Sequence, residues 1–229
     1  MPKSKKAPKK PYQKKTFLIT AGPTIEPIDP VRYISNYSTG EMGYELAKAA
    51  KKKGHKVILI SGPTSLKRPK GVKFIPVITA LDMKRAVSEY FRSADCVIMT
   101  AAVADFRPAV FSGKKLKKTS KKEYILRLVR NPDILSELGG VCRRQGKSRK
   151  IIVGYSLDTD NHIANAKRKM TSKHLDIIVV NRAGKTAHPF GSGKKDVTII
   201  SKEGATLVLK GTSKQKISHI LLDKIDILA

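Results

Sequence analysis

The sequence predicts a three-layer αβα, Rossmann-like sheet, mostly parallel, with an antiparallel C-terminal hairpin and a lysine-rich loop. Three observations carry this expectation. Short continuous apolar runs ended by Gly and Pro read as strands buried on both faces. Segments with apolar residues three and four positions apart alternate with those runs from residue 16 to about 180, as in a doubly wound sheet. Beyond them, two short apolar runs flank Glu203-Gly204, a hairpin signal.

The elements follow in order. Residues 1–15 hold seven Lys, three Pro and no acid, so they are expected to form a disordered basic tail. One folded domain is expected over 16–229. Phe17 to Thr20 is a buried strand running into the turn Ala21-Gly22-Pro23-Thr24. A helix starts near Gly40, with Met42, Leu46 and Ala50 on one face and Gly54 as its stop. Val57 to Ile60 and Val72 to Ile78 are the next strands. Thr79 and Asp82 form a capping box for a helix that aligns Met83, Val87, Tyr90 and Phe91.

Asp95 to Thr100 is a strand opening into Ala101-Ala102-Val103-Ala104-Asp105, and Tyr124 to Leu128 alternate as another. Asn131-Pro132-Asp133 offers a cap, a first-turn proline and an acid for a following helix. Ile151 to Tyr155 and Ile177 to Val180 are strands, separated by a helix carrying Ile163, Ala166 and Met170. Val197 to Ile200 and Thr206 to Leu209 form the hairpin. A last helix aligns Ile217, Ile220, Leu221 and Ile225.

Forty-seven Lys plus Arg against eighteen Asp plus Glu give a net charge of +29, which favours anionic ligands and says nothing about fold. Two Cys exclude a disulfide scaffold, and neither a C-x-x-C pair nor a His cluster suggests a metal site, so none is assigned. No apolar run reaches the roughly 20 residues of a membrane helix, and the apolar segment after the tail is too short for a signal core. The chain reads as cytoplasmic.

In doubly wound sheets, ligands bind outside the carboxyl ends of the strands. A dinucleotide-dependent oxidoreductase is disfavoured there. The first strand leads into Ala21-Gly22-Pro23-Thr24, not G-x-G-x-x-G, and the second ends in Ser61-Gly62 without a carboxylate for a ribose. The long loop Thr24 to Thr39 ends in Ser38-Thr39-Gly40 at a helix start, where backbone N–H groups can hold an anion, or simply cap the helix. Arg32 could add a forked charge contact, and Asn36 offers both a donor and an acceptor. Lys114-Lys115-Leu116-Lys117-Lys118 suits a triphosphate, although such runs are usually solvated loops.

Several of these segments resemble one family when read together. They are Ile19-Thr20-Ala21-Gly22-Pro23-Thr24, Asp29-Pro30-Val31-Arg32-Tyr33-Ile34-Ser35-Asn36, Ser38-Thr39-Gly40-Glu41-Met42-Gly43, Ala101-Ala102-Val103-Ala104-Asp105-Phe106-Arg107-Pro108, Asn131-Pro132-Asp133-Ile134-Leu135 and Val153-Gly154-Tyr155. The order and spacing resemble the phosphopantothenate–cysteine ligases of coenzyme A biosynthesis, in their bacterial-type, CTP-using branch.

The resemblance implies ligation of 4′-phosphopantothenate with L-cysteine through an acyl-cytidylate, releasing pyrophosphate and then CMP. By motif, Lys115 would bind the triphosphate, and Asn36 would hold the acyl-nucleotide, with Arg32 and Ala102 lining the same site. Asp105, Pro132, Asp133, Ile134, Leu135, Tyr155, Lys169 and Lys173 would surround the nucleotide. Gly22, Ser38, Thr39 and Gly40 would meet the phosphate or acyl end of the substrate. Mg²⁺ would ride on the phosphates, without a protein-built cage. The resemblance also implies a homodimer whose lysine-rich loop reaches the neighbouring site, and a stand-alone ligase without a fused decarboxylase domain.

A basic nucleic-acid-binding protein is the alternative. The tail and residues 110–150 are strongly basic, and a Lys tail could hold nucleic acid weakly. No helix-turn-helix, zinc finger or aromatic-rich strand face is recognisable. His55, His162, His174, His188 and His219 share no motif with acids or Cys and are expected to be structural.

Overall fold

The computed structural model describes residues 13–118, 122–145, 150–158, 160–182 and 193–228. One eight-stranded sheet runs through it in the order β12-β11-β10-β9-β6-β1-β4-β5. Within it, β1 (Thr16–Ala21) is paired in parallel with β4 (Lys56–Ser61) on one side and β6 (Cys96–Met99) on the other. Beyond β4 lies β5 (Lys73–Pro76), a four-residue edge strand shorter than the predicted Val72 to Ile78. Beyond β6, β9 (Ile151–Asp158) and β10 (Ile177–Arg182) are parallel, while β11 (Lys195–Ser201) and β12 (Thr206–Thr212) are antiparallel, as predicted.

The apolar runs are buried on both faces because helices cover both. On one face α1 (Glu41–Lys52) and α5 (Lys214–Leu228) pack over Phe17, Ile19, Leu59, Ile98 and Val153. On the other, α2 (Ala80–Phe91), α3 (Ile134–Gln145) and α4 (His162–Ser172) cover Leu18, Ile60, Val97 and Ile152. Successive strand residues supply opposite faces, so one uninterrupted hydrophobic run serves both cores.

The predicted capping box forms: the Asp82 N–H donates to Thr79 Oγ1 at 3.1 Å, and the Thr79 N–H donates to Asp82 Oδ2 at 3.0 Å. His55 is fully buried, and its Nδ1 accepts the Lys15 N–H at 3.2 Å. Burial holds its pKa below the ordinary histidine value, consistent with a neutral structural role. Lys15, the last residue of the predicted tail, is thus already tied to the fold. Residues 1–12 of the tail, and His188, lie outside the described residues.

Three local expectations are corrected. The long loop after β1 contains a small antiparallel pair, β2 (Ile25–Pro27) with β3 (Tyr33–Ser35). Its strands are too short to give a periodic signal. Tyr124 to Leu128 is not a strand. Only Leu128 enters one, in β8 (Leu128–Arg130) paired with β7 (Phe106–Pro108), and Tyr124 and Ile125 are exposed. Among the described residues, no strand pairs with them. The cap of α3 is Asp133, whose Oδ1 accepts the Ser136 N–H at 3.0 Å, and not Asn131. Asn131 is buried one step earlier, where it donates to the Ala104 carbonyl at 2.8 Å and accepts from Arg107 at 3.0 Å.

Candidate active site

The chain leaves β1 toward β4 and β5, then returns past β1 to β6, β9 and β10. The loops after β1 and β6 therefore part company, and a crevice opens at the carboxyl edge between them. These loops are cross-linked before they separate. The Ala102 N–H donates to the Gly22 carbonyl at 2.9 Å, and the Thr24 N–H to the Ala102 carbonyl at 3.1 Å. The Ala104 N–H donates to Thr24 Oγ1 at 3.0 Å. Asn36 Nδ2 joins the cluster through the Ala102 carbonyl at 2.8 Å, which brings Asn36, Ala102 and Gly22 together as the sequence suggests.

Two cavities open around this junction. The first is lined by Ser38, Thr39, Gly40, Gly43, Ala102, Asn181, Lys195 and Lys214, among others. Gly40 precedes α1 in a left-handed conformation with φ of 78°, and no side chain caps the helix. The first-turn amides thus form a positive end at the cavity wall, where an anion is favoured. Gly43 is needed where α1 crosses the sheet, since a Cβ there would lie 2.5 Å from Ala21 Cβ. Glu41, in the same turn, pairs with Lys214 at 2.6 Å.

The second cavity collects Asp105, Pro132, Asp133, Ile134, Leu135, Tyr155, Lys169 and Lys173, the set that the resemblance assigns to the nucleotide. Lys169 donates to the Tyr155 carbonyl at 3.0 Å, and Lys173 lies 2.6 Å from Asp133. Burial raises the Asp133 pKa, but the hydrogen bond from Lys173 outweighs it together with the Ser136 N–H. The carboxyl is held below its ordinary value.

Ala101 and Tyr155 line both cavities. Strand parity places the Tyr155 side chain with Ile151 and Val153 on the α1–α5 face. Its hydroxyl is buried without a hydrogen-bond partner, and burial pushes its pKa far up, so the phenol stays neutral.

Arg32 and Lys115 line neither cavity of the protomer. Asp29 is buried and receives the Val31 and Arg32 N–H groups at 2.8 Å each, the Arg32 Nε at 3.0 Å and the Leu116 N–H at 3.1 Å. Arg32 also donates to the Leu116 carbonyl at 2.7 Å. Its guanidinium holds the Asp29 carboxyl far below the usual range. Arg32 is thus committed to a buttress that fixes the root of the lysine-rich loop, with Lys115 exposed beside it.

Sequence reasoning missed Asp29, Asn131, Asn181, Lys195 and Lys214. Asp29, three positions before Arg32, carried a usable turn signal. Lys195 and Lys214 carry no local signal, because only the fold brings the hairpin and α5 to the start of α1. Among the described residues, no three His, Cys, Asp or Glu side chains converge as a metal site. No helix among them is long and apolar enough to cross a membrane.

Comparison with known proteins places this geometry. A family described as the DNA/pantothenate metabolism flavoprotein C-terminal domain matches residues 12–228. The coenzyme A biosynthesis bifunctional protein CoaBC of Bacillus subtilis (strain 168) is 44% identical over 220 residues, covering 96% of this chain and 53% of that protein. CoaBC of Escherichia coli (strain K12) is 39% identical over 211 residues, covering 91% and 51%. The crystal structure of the C-terminal domain of a CoaBC protein superposes with a TM-score of 0.78 at 36% identity, covering 94% of this chain and 96% of that one. The chain spans about half the length of the curated relatives it matches. By the extent of that match, the chain belongs to the family of the DNA/pantothenate metabolism flavoprotein C-terminal domain.

Proposed function

We propose that this chain is a phosphopantothenate–cysteine ligase of coenzyme A biosynthesis that uses CTP. The observation that carries the reading is the pair of cavities sharing Ala101 and Tyr155 at the switch point of the sheet. One presents uncapped helix amides and ammonium groups to phosphates. The other surrounds a nucleoside with Asp105, the 132–135 turn, Lys169 and Lys173. The names of the CoaBC relatives supply the pathway.

In the first step a carboxylate oxygen of 4′-phosphopantothenate attacks the α-phosphorus of CTP. The bond to the bridging oxygen breaks, and pyrophosphate leaves with both bonding electrons. In the second, the cysteine amine attacks the acyl carbon, CMP departs, and the amine gives up a proton. Neither step needs a protein nucleophile, and buried Cys96, whose thiol pKa is raised by burial, supplies none. The protein's part is positioning and charge stabilisation. Asn36 holds the acyl-nucleotide beside Ala102, and Gly22, Ser38, Thr39 and Gly40 meet the phosphate or acyl end of the substrate. Arg32 acts through the Asp29 buttress, and Lys115 binds the triphosphate. Mg²⁺ carried on the phosphates, with no cage of protein ligands, would supply charge neutralisation there.

The assay is pyrophosphate release and amide formation from 4′-phosphopantothenate and cysteine, with CTP compared against ATP. Product with CTP is expected. Product with ATP alone removes the nucleotide assignment, and no product with either removes the ligase.

The same reading includes a homodimer. Val31, Tyr33, Val110, Phe111, Tyr124 and Ile125 are exposed on the two small β-pairs and the segment that follows β7. These are large apolar groups close to the root of the Lys115 loop, a composition that suits an isologous contact. The wild type is expected to sediment as two chains and a Phe111→Glu/Ile125→Glu variant as one. A variant that remains dimeric removes this face from the interface.

A further inference from the structure

We propose that Lys195, supported by Lys214, binds the β- and γ-phosphates of the nucleotide and so grips the pyrophosphate that leaves in the first step. This rests on the nucleotide reading above and adds a positioning role that the sequence motifs do not assign.

Lys195 opens β11. Because β11 runs antiparallel to its neighbour β10, its first residue lies at the carboxyl edge of the parallel strands, level with the crevice. Its pairing is irregular: Lys195 sits opposite Thr212 and Val197 opposite Leu209, so the register shifts between them. Such a bulge re-aims side chains. Asp196 is turned aside to accept the Gly211 N–H at 2.6 Å, with Gly211 at a φ of 53°. Lys195 is a wall of the first cavity.

The opposite contributions come from α5 and α1. Lys214, at the start of α5, is 8% exposed, and its Nζ lies 2.6 Å from Glu41 Oε2 in the first turn of α1. Among the described residues, the cavity lining brings together the ammonium groups of Lys195 and Lys214 and the Glu41 carboxylate, next to helix amides that no side chain caps. Burial and then the Lys214 charge lower the Lys195 pKa, as expected of a cation held against another cation. An anion of more than one charge answers all of these features.

The nucleoside cavity meets this one at Ala101 and Tyr155, so a nucleotide seated in both directs its phosphate chain toward α1, Lys195 and Lys214. Departing pyrophosphate would then develop its charge against groups already in place.

The test is Lys195→Gln, read by calorimetric titration of CTP and, separately, CMP, which lacks the β- and γ-phosphates. One charge-assisted contact corresponds to an affinity loss of about 10- to 100-fold for CTP. CMP affinity is expected to stay within about 3-fold, and Lys195→Arg to recover most of the CTP affinity. Thermal melting without nucleotide is measured alongside, so that a loss of fold is told apart from a loss of the phosphate contact. If Lys195→Gln fails to fold, Lys195→Met carries the same comparison. Equal losses for CTP and CMP, or no loss for either, overturn the inference while leaving the nucleotide site standing. Wild-type protein that binds neither nucleotide removes the underlying reading, and this inference with it.

Discussion

Replacing Lys115 with Gln is expected to reduce ligation on the order of 10²- to 10³-fold while leaving melting temperature and oligomeric state unchanged. Lys115 is exposed, so the substitution removes no packing. The loop's attachment runs through the backbone of Leu116 to Asp29 and Arg32, which the variant keeps. What is lost, on the proposed function, is an ammonium group placed where charge develops on the triphosphate. Because Lys115 lines neither cavity of its own protomer, the proposed dimer has it serving the partner subunit's site. That assignment has a distinct signature. Lys115→Gln and Asn36→Ala proteins, each inactive alone, should regain about a quarter of wild-type activity when mixed and allowed to exchange subunits, since half the dimers then hold one intact site. Full activity of Lys115→Gln removes its role in the reaction. Failure of the mixture to recover places Lys115 within its own protomer's site.

Gly62→Ala is expected to destabilise the protein by about 3 kcal/mol or more, lowering the melting temperature by roughly 6–12 °C. Gly62 follows β4, and a Cβ added there falls inside the contact distance of the Pro23 carbonyl oxygen. The obstacle is backbone, which has little room to relax, because its neighbours are bonded on both sides. The Gly62 N–H donates to the Ala21 carbonyl at 3.0 Å, and the turn after Pro23 is tied to Ala102. Any relief moves the Gly22–Thr24 turn, and with it the frame that holds Asn36 against Ala102. Nucleotide affinity should therefore fall along with stability. A melting temperature within about 2 °C of wild type would show that the turn yields more easily than its bonding suggests.

The sheet and its helices were legible because the fold obeys two local rules almost without exception. Uninterrupted apolar runs such as Ile58-Leu59-Ile60 need helices on both faces, and Thr79 with Asp82 announces its helix within four residues. The legible part of the site was that carried by contiguous segments: the Ser38–Gly40 helix start and the 131–135 turn both face cavities. The rest depends on contacts between distant segments. Asn131 reads as a cap, yet its amide is committed to the Ala104 carbonyl across the loop after β6. Arg32 reads as a free cation, yet Asp29 and Leu116 claim it. Tyr124 and Ile125 read as strand because their alternation is real, but no strand among the described residues meets it. Lys195 could not be placed without knowing that β11 runs antiparallel and starts at the ligand edge.

The pairing of α1 with α5 also bears on how the chain acquires its structure during synthesis. Lys53, at the end of α1, bonds Asp223 and Asp226 of α5, which are 170 and 173 positions away in the chain. Ile217, Leu221 and Ile225 close the apolar face over α1 and β1. A ribosome that has released β1, α1 and β4 thus presents a half-covered sheet whose lid has not yet been translated. The first helix made waits for one of the last, and in that interval its greasy side is open to chaperones and to sister chains on the same messenger. Contacts so distant along the chain also slow the search for the native state after release. The positive end of α1 therefore gains its Lys214 neighbour, and the first cavity its final wall, only when translation of this region is complete.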